Sequence, residues 1–146
     1  MSISEASEQV SKNYLKWIYI LSKSQEVHSA GLADALELSR PTVCKKLHSL
    51  ECDGYLVIDY NKAISLTEKG EKIAKETYEK NIVFWQFLID LGVDRGIAKR
   101  DACRLEHAVS AESFDAFKKM FQKKIGEAAF FEKEHDLLEK GLYYDR

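Results

Sequence analysis

The chain has 146 residues, a formal net charge of −2, 45% hydrophobic residues and 32% charged residues. This length and composition fit a globular protein of one domain or of two small modules. The nearly balanced charge excludes a protein whose whole surface is basic. Any basic surface that binds nucleic acid must therefore be local.

The first part of the chain is predicted to form three helices. Apolar residues recur with a helical period over roughly residues 5–24, and again in the short segment "SAGLADALELS". A third helix is predicted from Arg40 to about Cys52, because Ser39 is a good N-cap and Pro41 falls in the first turn. Its apolar face would contain Val43, Leu47 and Leu50.

The apolar period then changes from helical to alternating. The segment "YLVIDYNKAISLT" has two short β-prone runs around the polar residues 60–62, which predicts a β-hairpin. Thr67 is positioned to cap a long helix over about residues 68–91. Two further helices are predicted to begin at Asp94 and Ser110, and a last one follows Gly126 in "EAAFFEKEHDLLEKG".

This order of elements predicts a mainly α protein. Residues 1–66 would form an N-terminal winged helix-turn-helix, and residues 67–146 would form an all-helical domain. The aromatic run "IVFWQFL" and the phenylalanines of "SFDAFKKMF" offer more apolar surface than one small domain needs to cover itself, and the excess is predicted to be buried between the subunits of a homodimer. The alternative is a small α+β domain with no nucleic-acid role.

Local charge favours DNA binding by the third helix. The segment "SRPTVCKKLH", residues 39–48, carries Arg40, Lys45 and Lys46 and no acidic residue. These basic residues would contact phosphates, while Ser39 and Thr42 would face the bases. Lys62, at the hairpin tip, is predicted to reach a neighbouring phosphate. A helix face that is simply solvated could have the same composition.

A second cluster lies in "DACRLEHAVS", residues 101–110. With about 3.6 residues per helical turn, Cys103, Glu106 and His107 project from one face. A thiolate, a carboxylate and an imidazole could bind Fe²⁺, Zn²⁺ or Co²⁺. The alternative is a buried thiol beside an ordinary surface pair. An enzyme that uses Cys103 and His107 as nucleophile and base is not expected, because no Gly-rich oxyanion loop is nearby.

Four segments, in this order, resemble the family of iron- and manganese-dependent repressors typified by the diphtheria toxin repressor and the manganese transport regulator. They are "NYLKWIYILS", "LSRPTVCKKLHSLECDGYL", "ISLTEKGEKIA" and "ACRLEHAVS". The third is shared with other winged-helix families, whereas the fourth is specific. The resemblance implies a homodimeric transcription regulator with a palindromic operator in double-stranded DNA and a metal site in its helical dimerisation domain. It also implies the short form without a C-terminal barrel.

The resemblance implies that Cys103, Glu106 and His107 are metal ligands, and it places Asn13 where the family has methionine or aspartate. Other family ligand positions carry residues that bind metal poorly or not at all: Lys16, Asn81, Trp85 and Lys99. The ancillary metal site of the family is therefore expected to be lost. The thiolate of Cys103 makes Mn²⁺ an unfavourable ion.

Lys16 raises an alternative to metal binding. In the family a cation bridges the first helix to the dimerisation helices, and an ammonium one turn from Asn13 would repel that cation. Lys16 could instead replace the ion's charge and pair with Glu106. Two expectations stay open: an altered metal site, or a regulator that is constitutively DNA-competent or responds to a non-metal signal.

The three cysteines indicate a cellular compartment. Cys44, Cys52 and Cys103 are an odd number without framework spacing, no signal peptide is apparent, and no apolar run has the length of a membrane span. We therefore expect reduced thiols in a cytoplasmic protein with no membrane partner. Cys44 and Cys52 are expected to be structural, and His28 and His135 to lie on the surface.

Overall fold

A computed structural model describes residues 3–126 of the chain. Its elements are α1 (Ile3–Ser22), α2 (Ser29–Leu36), α3 (Arg40–Cys52), β1 (Leu56–Ile58), β2 (Ile64–Leu66), α4 (Glu68–Asp90), α5 (Arg95–Ala108) and α6 (Ala111–Ile125). The predicted mainly helical winged helix-turn-helix architecture is confirmed. The predicted last helix and His135 lie outside the described residues. Among the helices that are described, none has the length and apolar character needed to cross a bilayer.

The described part of the chain divides into two compact units, residues 3–77 and 78–126. The first turns of α4 thus belong to the winged helix. One reason is Gly70, where an added Cβ would overlap the backbone carbonyl oxygen of Tyr55. Only glycine permits this close approach of two backbone segments. The division between domains at residues 66 and 67 stays a prediction.

The core of the first unit is formed by α1, α2 and α3. The predicted apolar face of α3 is confirmed, because Val43, Leu47 and Leu50 are buried. The predicted cap is confirmed as well: the Thr42 N–H donates to the Ser39 hydroxyl oxygen at 3.4 Å, and Pro41 lies in the first turn. Each such apolar side chain contributes about 1.5–3 kcal/mol on burial.

The wing is the hairpin of residues 56–66, in which β1 and β2 pair antiparallel with Ile58 opposite Ile64. Two contacts fix it to the rest of the unit. The Ile64 N–H donates to the Val27 carbonyl at 2.8 Å. The Ile58 N–H donates to the carboxylate of Glu51, in α3, at 2.8 Å. The wing and α3 are therefore joined directly as well as through the chain.

In the second unit, α4 and α6 pack through aromatic rings. The ring of Phe117 lies 5.0 Å from that of Phe84 and 4.7 Å from that of Phe87, centroid to centroid. Phe84, Phe114 and Phe121 are buried within the chain itself. These rings are part of the unit's own core, because α6 folds back on α4. These three rings are covered by the chain itself, and burial of the remaining apolar surface between subunits stays a prediction.

Candidate functional site

The first candidate site is the N-terminal half of α3. Arg40, Thr42 and Lys45 are exposed, while Lys46 is half-buried. The side chains of Ser39 and Thr42 lie together, with their hydroxyl oxygens 2.7 Å apart. The helix therefore presents hydroxyl and cationic groups on one exposed end, which are the groups that donate to phosphates and base edges.

The N-terminal end of α3 is positive because the acidic residue of this helix, Glu51, lies at the opposite end. Glu51 lies near the C-terminus of α3, and its carboxylate accepts the Ile58 N–H of the wing. Glu51 thus fixes the wing beside the helix rather than neutralising Lys45. Sequence reasoning missed this role, and no local pattern signals it.

The tip of the wing carries Lys62, which has a φ of 67°. Asp59 organises this turn: its carboxylate accepts from the N–H groups of Asn61 at 2.8 Å and Ala63 at 2.9 Å. The Lys62 N–H donates to the Asp59 carbonyl at 3.0 Å. A left-handed residue other than glycine costs about 1–2 kcal/mol, which these bonds offset. An aspartate at the start of a turn is a sequence signal that the initial interpretation overlooked.

The second candidate site, the α4–α5 polar cluster, consists of Asn81, Cys103, Glu106 and His107. The Asn81 amide, from α4, donates to the Cys103 sulfur at 3.4 Å. The His107 Nε2 lies 3.1 Å from the Glu106 carboxylate. The residues predicted on one face of α5 therefore make polar contacts with one another and with Asn81, which sequence analysis had set aside.

Two members of the α4–α5 polar cluster are deeply buried. Asn81 is 0% exposed and Glu106 is 3% exposed. Within residues 3–126, the Asn81 side-chain oxygen has no hydrogen-bond partner. A buried polar atom in this state costs about 1–3 kcal/mol. A buried polar atom without a partner requires an explanation, which makes this cluster a candidate functional site.

The donor set of this cluster fits a metal ion poorly. Across the described residues, no group of three or more His, Cys, Asp and Glu side chains is arranged to hold a metal. The Cys103 sulfur receives an amide N–H, and the His107 Nε2 faces a carboxylate. Both side chains therefore already make polar contacts with their neighbours. The assignment of these residues as metal ligands stays a prediction.

Two residues of α1, in the first unit, complete the set of predicted site residues. Asn13 is half-buried, and Lys16 is completely buried with 0% exposure. A lysine is almost never buried to this extent unless its charge is compensated. The pairing of Lys16 with Glu106 stays a prediction.

The basic N-terminal end of α3, the wing fixed beside it, and a helical unit with a buried polar cluster define a winged-helix protein with a helical second module. The chain belongs to the iron-dependent repressor family. The model of the family's N-terminal DNA-binding domain matches residues 8–64, and the model of its metal-binding and dimerisation domain matches residues 67–124.

Proteins of known sequence agree with this assignment. The chain is 40% identical over 98 residues to the transcriptional regulator MntR of Escherichia coli O6:H1, covering 67% of this chain and 63% of that protein. It is 35% identical over 118 residues to an uncharacterized HTH-type transcriptional regulator of Methanocaldococcus jannaschii, covering 92% of that protein. The match to the E. coli regulator therefore spans less than two thirds of that relative.

Solved structures share the fold. The metal-dependent transcriptional regulator MtsR superposes with a TM-score of 0.71 at 27% identity, covering 77% of this chain and 53% of that one. The manganese regulator SloR superposes with a TM-score of 0.69 at 26% identity, again over 53% of its chain. The chain thus spans about half the length of these solved relatives.

Proposed function

We propose that this protein is a sequence-specific transcription regulator that binds a palindromic operator in double-stranded DNA as a homodimer. The observation that carries the proposal is the exposed basic end of α3, with the wing joined to it through Glu51 and Ile58. A helix presented in this way can enter the major groove, where its N-terminal residues contact base edges.

The assigned DNA contacts follow from exposure and chemistry. Arg40, Lys45 and Lys46 contact phosphates, Ser39 and Thr42 face the bases, and Lys62 reaches the backbone from the wing. The name of the matching N-terminal family model supports DNA binding. The relatives are transcriptional regulators, which supports the same role here; the match covers 63% of the E. coli protein.

A homodimer is supported by the family model, which describes a dimerisation domain over residues 67–124. The second unit also exposes large apolar side chains: Leu91, Ile97 and Met120 are 60%, 43% and 56% exposed. A second copy of the chain would bury such residues. Half-sites in the operator then lie one helical turn, or a multiple of it, apart.

The DNA-competent state needs little or no metal. Three observations support this part of the proposal: the Cys103 sulfur is engaged by Asn81, the His107 Nε2 faces Glu106, and a completely buried lysine stands at a family ligand position. In this proposal Lys16 takes over the role that a bound cation has in the family that the chain resembles. The signal to which the regulator responds is then not a metal.

The competing function is metal-dependent repression. Cys103, Glu106 and His107, with the Asn13 amide as a weak fourth ligand, would then hold Fe²⁺, Zn²⁺ or Co²⁺. This ion would supply positive charge to the buried carboxylate of Glu106. The observation that favours metal-dependent repression is that a thiol, a carboxylate and an imidazole lie within five residues of α5.

One experiment tests both parts of the proposal. DNA fragments are selected from random sequence with protein purified anaerobically, and the metal content of that protein is measured. We expect an inverted-repeat site and less than one metal ion per chain. Failure to select any sequence contradicts the regulator, whereas one Fe²⁺ or Zn²⁺ per chain contradicts metal independence alone.

A further inference from the structure

Tyr60, at the tip of the wing, is the most exposed large hydrophobic side chain in the described part of the chain, with 92% of its surface exposed. Burial of a tyrosine removes a large apolar area from water, so full exposure forgoes that stabilisation. Its neighbours in the turn are Asp59, Asn61 and Lys62, which are also exposed. The ring therefore stands in solvent beside a cationic residue.

The tip is held rigidly although it is exposed. The Asp59 carboxylate accepts two backbone N–H groups, from Asn61 and Ala63, and the Asp59 N–H donates to the Ala63 carbonyl at 3.0 Å. Below the tip, β2 is bonded to Val27. A side chain on such a turn loses little backbone entropy when it binds a partner.

The wing is also oriented relative to α3. The Glu51 carboxylate joins α3 to Ile58, the last residue of β1 before the turn. When α3 lies in a major groove, the tip is therefore presented at a fixed place on the same duplex. The partner at that place is the sugar–phosphate backbone, to which lysine and tyrosine side chains both bind.

We infer that Tyr60 and Lys62 form a backbone clamp on the DNA that flanks the base pairs read by α3. The Tyr60 ring lies against the sugars of the adjacent minor groove, where the negative potential also attracts the Lys62 ammonium. Because of the clamp, full-affinity binding requires a DNA duplex that extends beyond the bases contacted by α3. This inference rests on the proposed DNA-binding function.

The test combines two variants with two duplexes. The long duplex is the site selected by the wild-type protein, and the short duplex lacks the flanking base pairs outside the α3 half-sites. On the long duplex, Tyr60→Ala should weaken binding about tenfold, as loss of an aromatic contact to nucleic acid does. Tyr60→Phe, the matched control, keeps the ring and should retain most of the affinity.

The short duplex distinguishes a DNA contact from a structural effect. On the short duplex the wild type and Tyr60→Ala should bind with equal affinity, because neither can place a ring against the missing flank and both have lost the Lys62 contact. Equal affinity of Tyr60→Ala and the wild type on the long duplex overturns the clamp. An equal loss on both duplexes also overturns it. Absence of binding by the wild type to any selected site would instead overturn the proposed function.

Discussion

The side-chain amide of Asn81, in α4, donates a hydrogen bond to the sulfur of Cys103, in α5, at 3.4 Å. The α4 amide thus donates to the thiol that would be the strongest metal ligand on α5. The opposite end of the same amide is a buried oxygen with no hydrogen-bond partner within residues 3–126. Exchange of this single side chain is therefore expected to change the chemistry of the site.

Asn81→His should create a metal site. The family that the chain resembles has a histidine at this position. An imidazole beside the Cys103 sulfur offers a nitrogen ligand where the wild type offers an N–H donor. We expect Zn²⁺ and Co²⁺ affinity to rise on the order of tenfold or more. The measurement is Co²⁺ titration, followed by the thiolate-to-cobalt charge-transfer absorption. The band should vanish in the Asn81→His/Cys103→Ser double variant, and its persistence there would contradict the assignment.

Replacement of Lys45 and Lys46 by alanine should weaken operator binding and flatten its salt dependence. Each lost phosphate contact lowers the slope of log affinity against log salt by about one unit. The measurement is a titration of the operator at several salt concentrations. Lys119→Ala/Lys123→Ala removes the same charge from exposed positions of α6 and serves as control. An unchanged slope in the α3 variant would exclude these lysines as phosphate contacts.

Operator binding by the wild type should survive a strong chelator, because in the proposal the buried Lys16 takes the place of the metal ion. We expect Lys16→Met to reduce operator affinity, because the proposal gives this lysine the role of the cation; removing one partner from a buried charge pair costs about 3–5 kcal/mol. A shift of this size moves a two-state equilibrium most of the way across. Lys12→Met is the control, since Lys12 lies on the same helix in an exposed pair with Glu8.

Lys16→Glu restores a carboxylate at a family ligand position and is expected to make operator binding metal-dependent. The measurement is binding with and without chelator, for the wild type and this variant side by side. If chelator abolishes wild-type binding and Fe²⁺ or Zn²⁺ restores it, metal independence is wrong, and Cys103, Glu106 and His107 are working ligands.

Gly70→Ala should destabilise the first unit by about 1–3 kcal/mol, because the added Cβ overlaps the Tyr55 carbonyl oxygen. The measurement is the free energy of unfolding from denaturant titration. Gly31→Ala is the matched control: Gly31 lies inside α2, and its added Cβ meets nothing within 4 Å. That variant should be stabilised by about 0.5–1 kcal/mol. Equal stability of the two variants would show that the close approach at Gly70 is unimportant.

Sequence alone determined the features that depend on neighbours in the chain. The cap of α3 at Ser39, the turn between β1 and β2, and the starts of α5 at Asp94 and α6 at Ser110 were predicted correctly. Each is set by hydrogen bonds between residues that are two to four positions apart, so a short segment contains all the atoms involved. The segments that carry the family resemblance were likewise readable without a structure.

Tertiary structure alone decided which side chains meet. Asn81 and Cys103 are 22 positions apart, and their contact exists because α5 packs against α4. The burial of Lys16 and the engagement of Glu51 by the wing are of the same kind. Periodicity shows which face of a helix is apolar, but it contains no information about the element that covers that face. The partners of the polar groups, and with them the chemistry of the site, are fixed only when the helices pack.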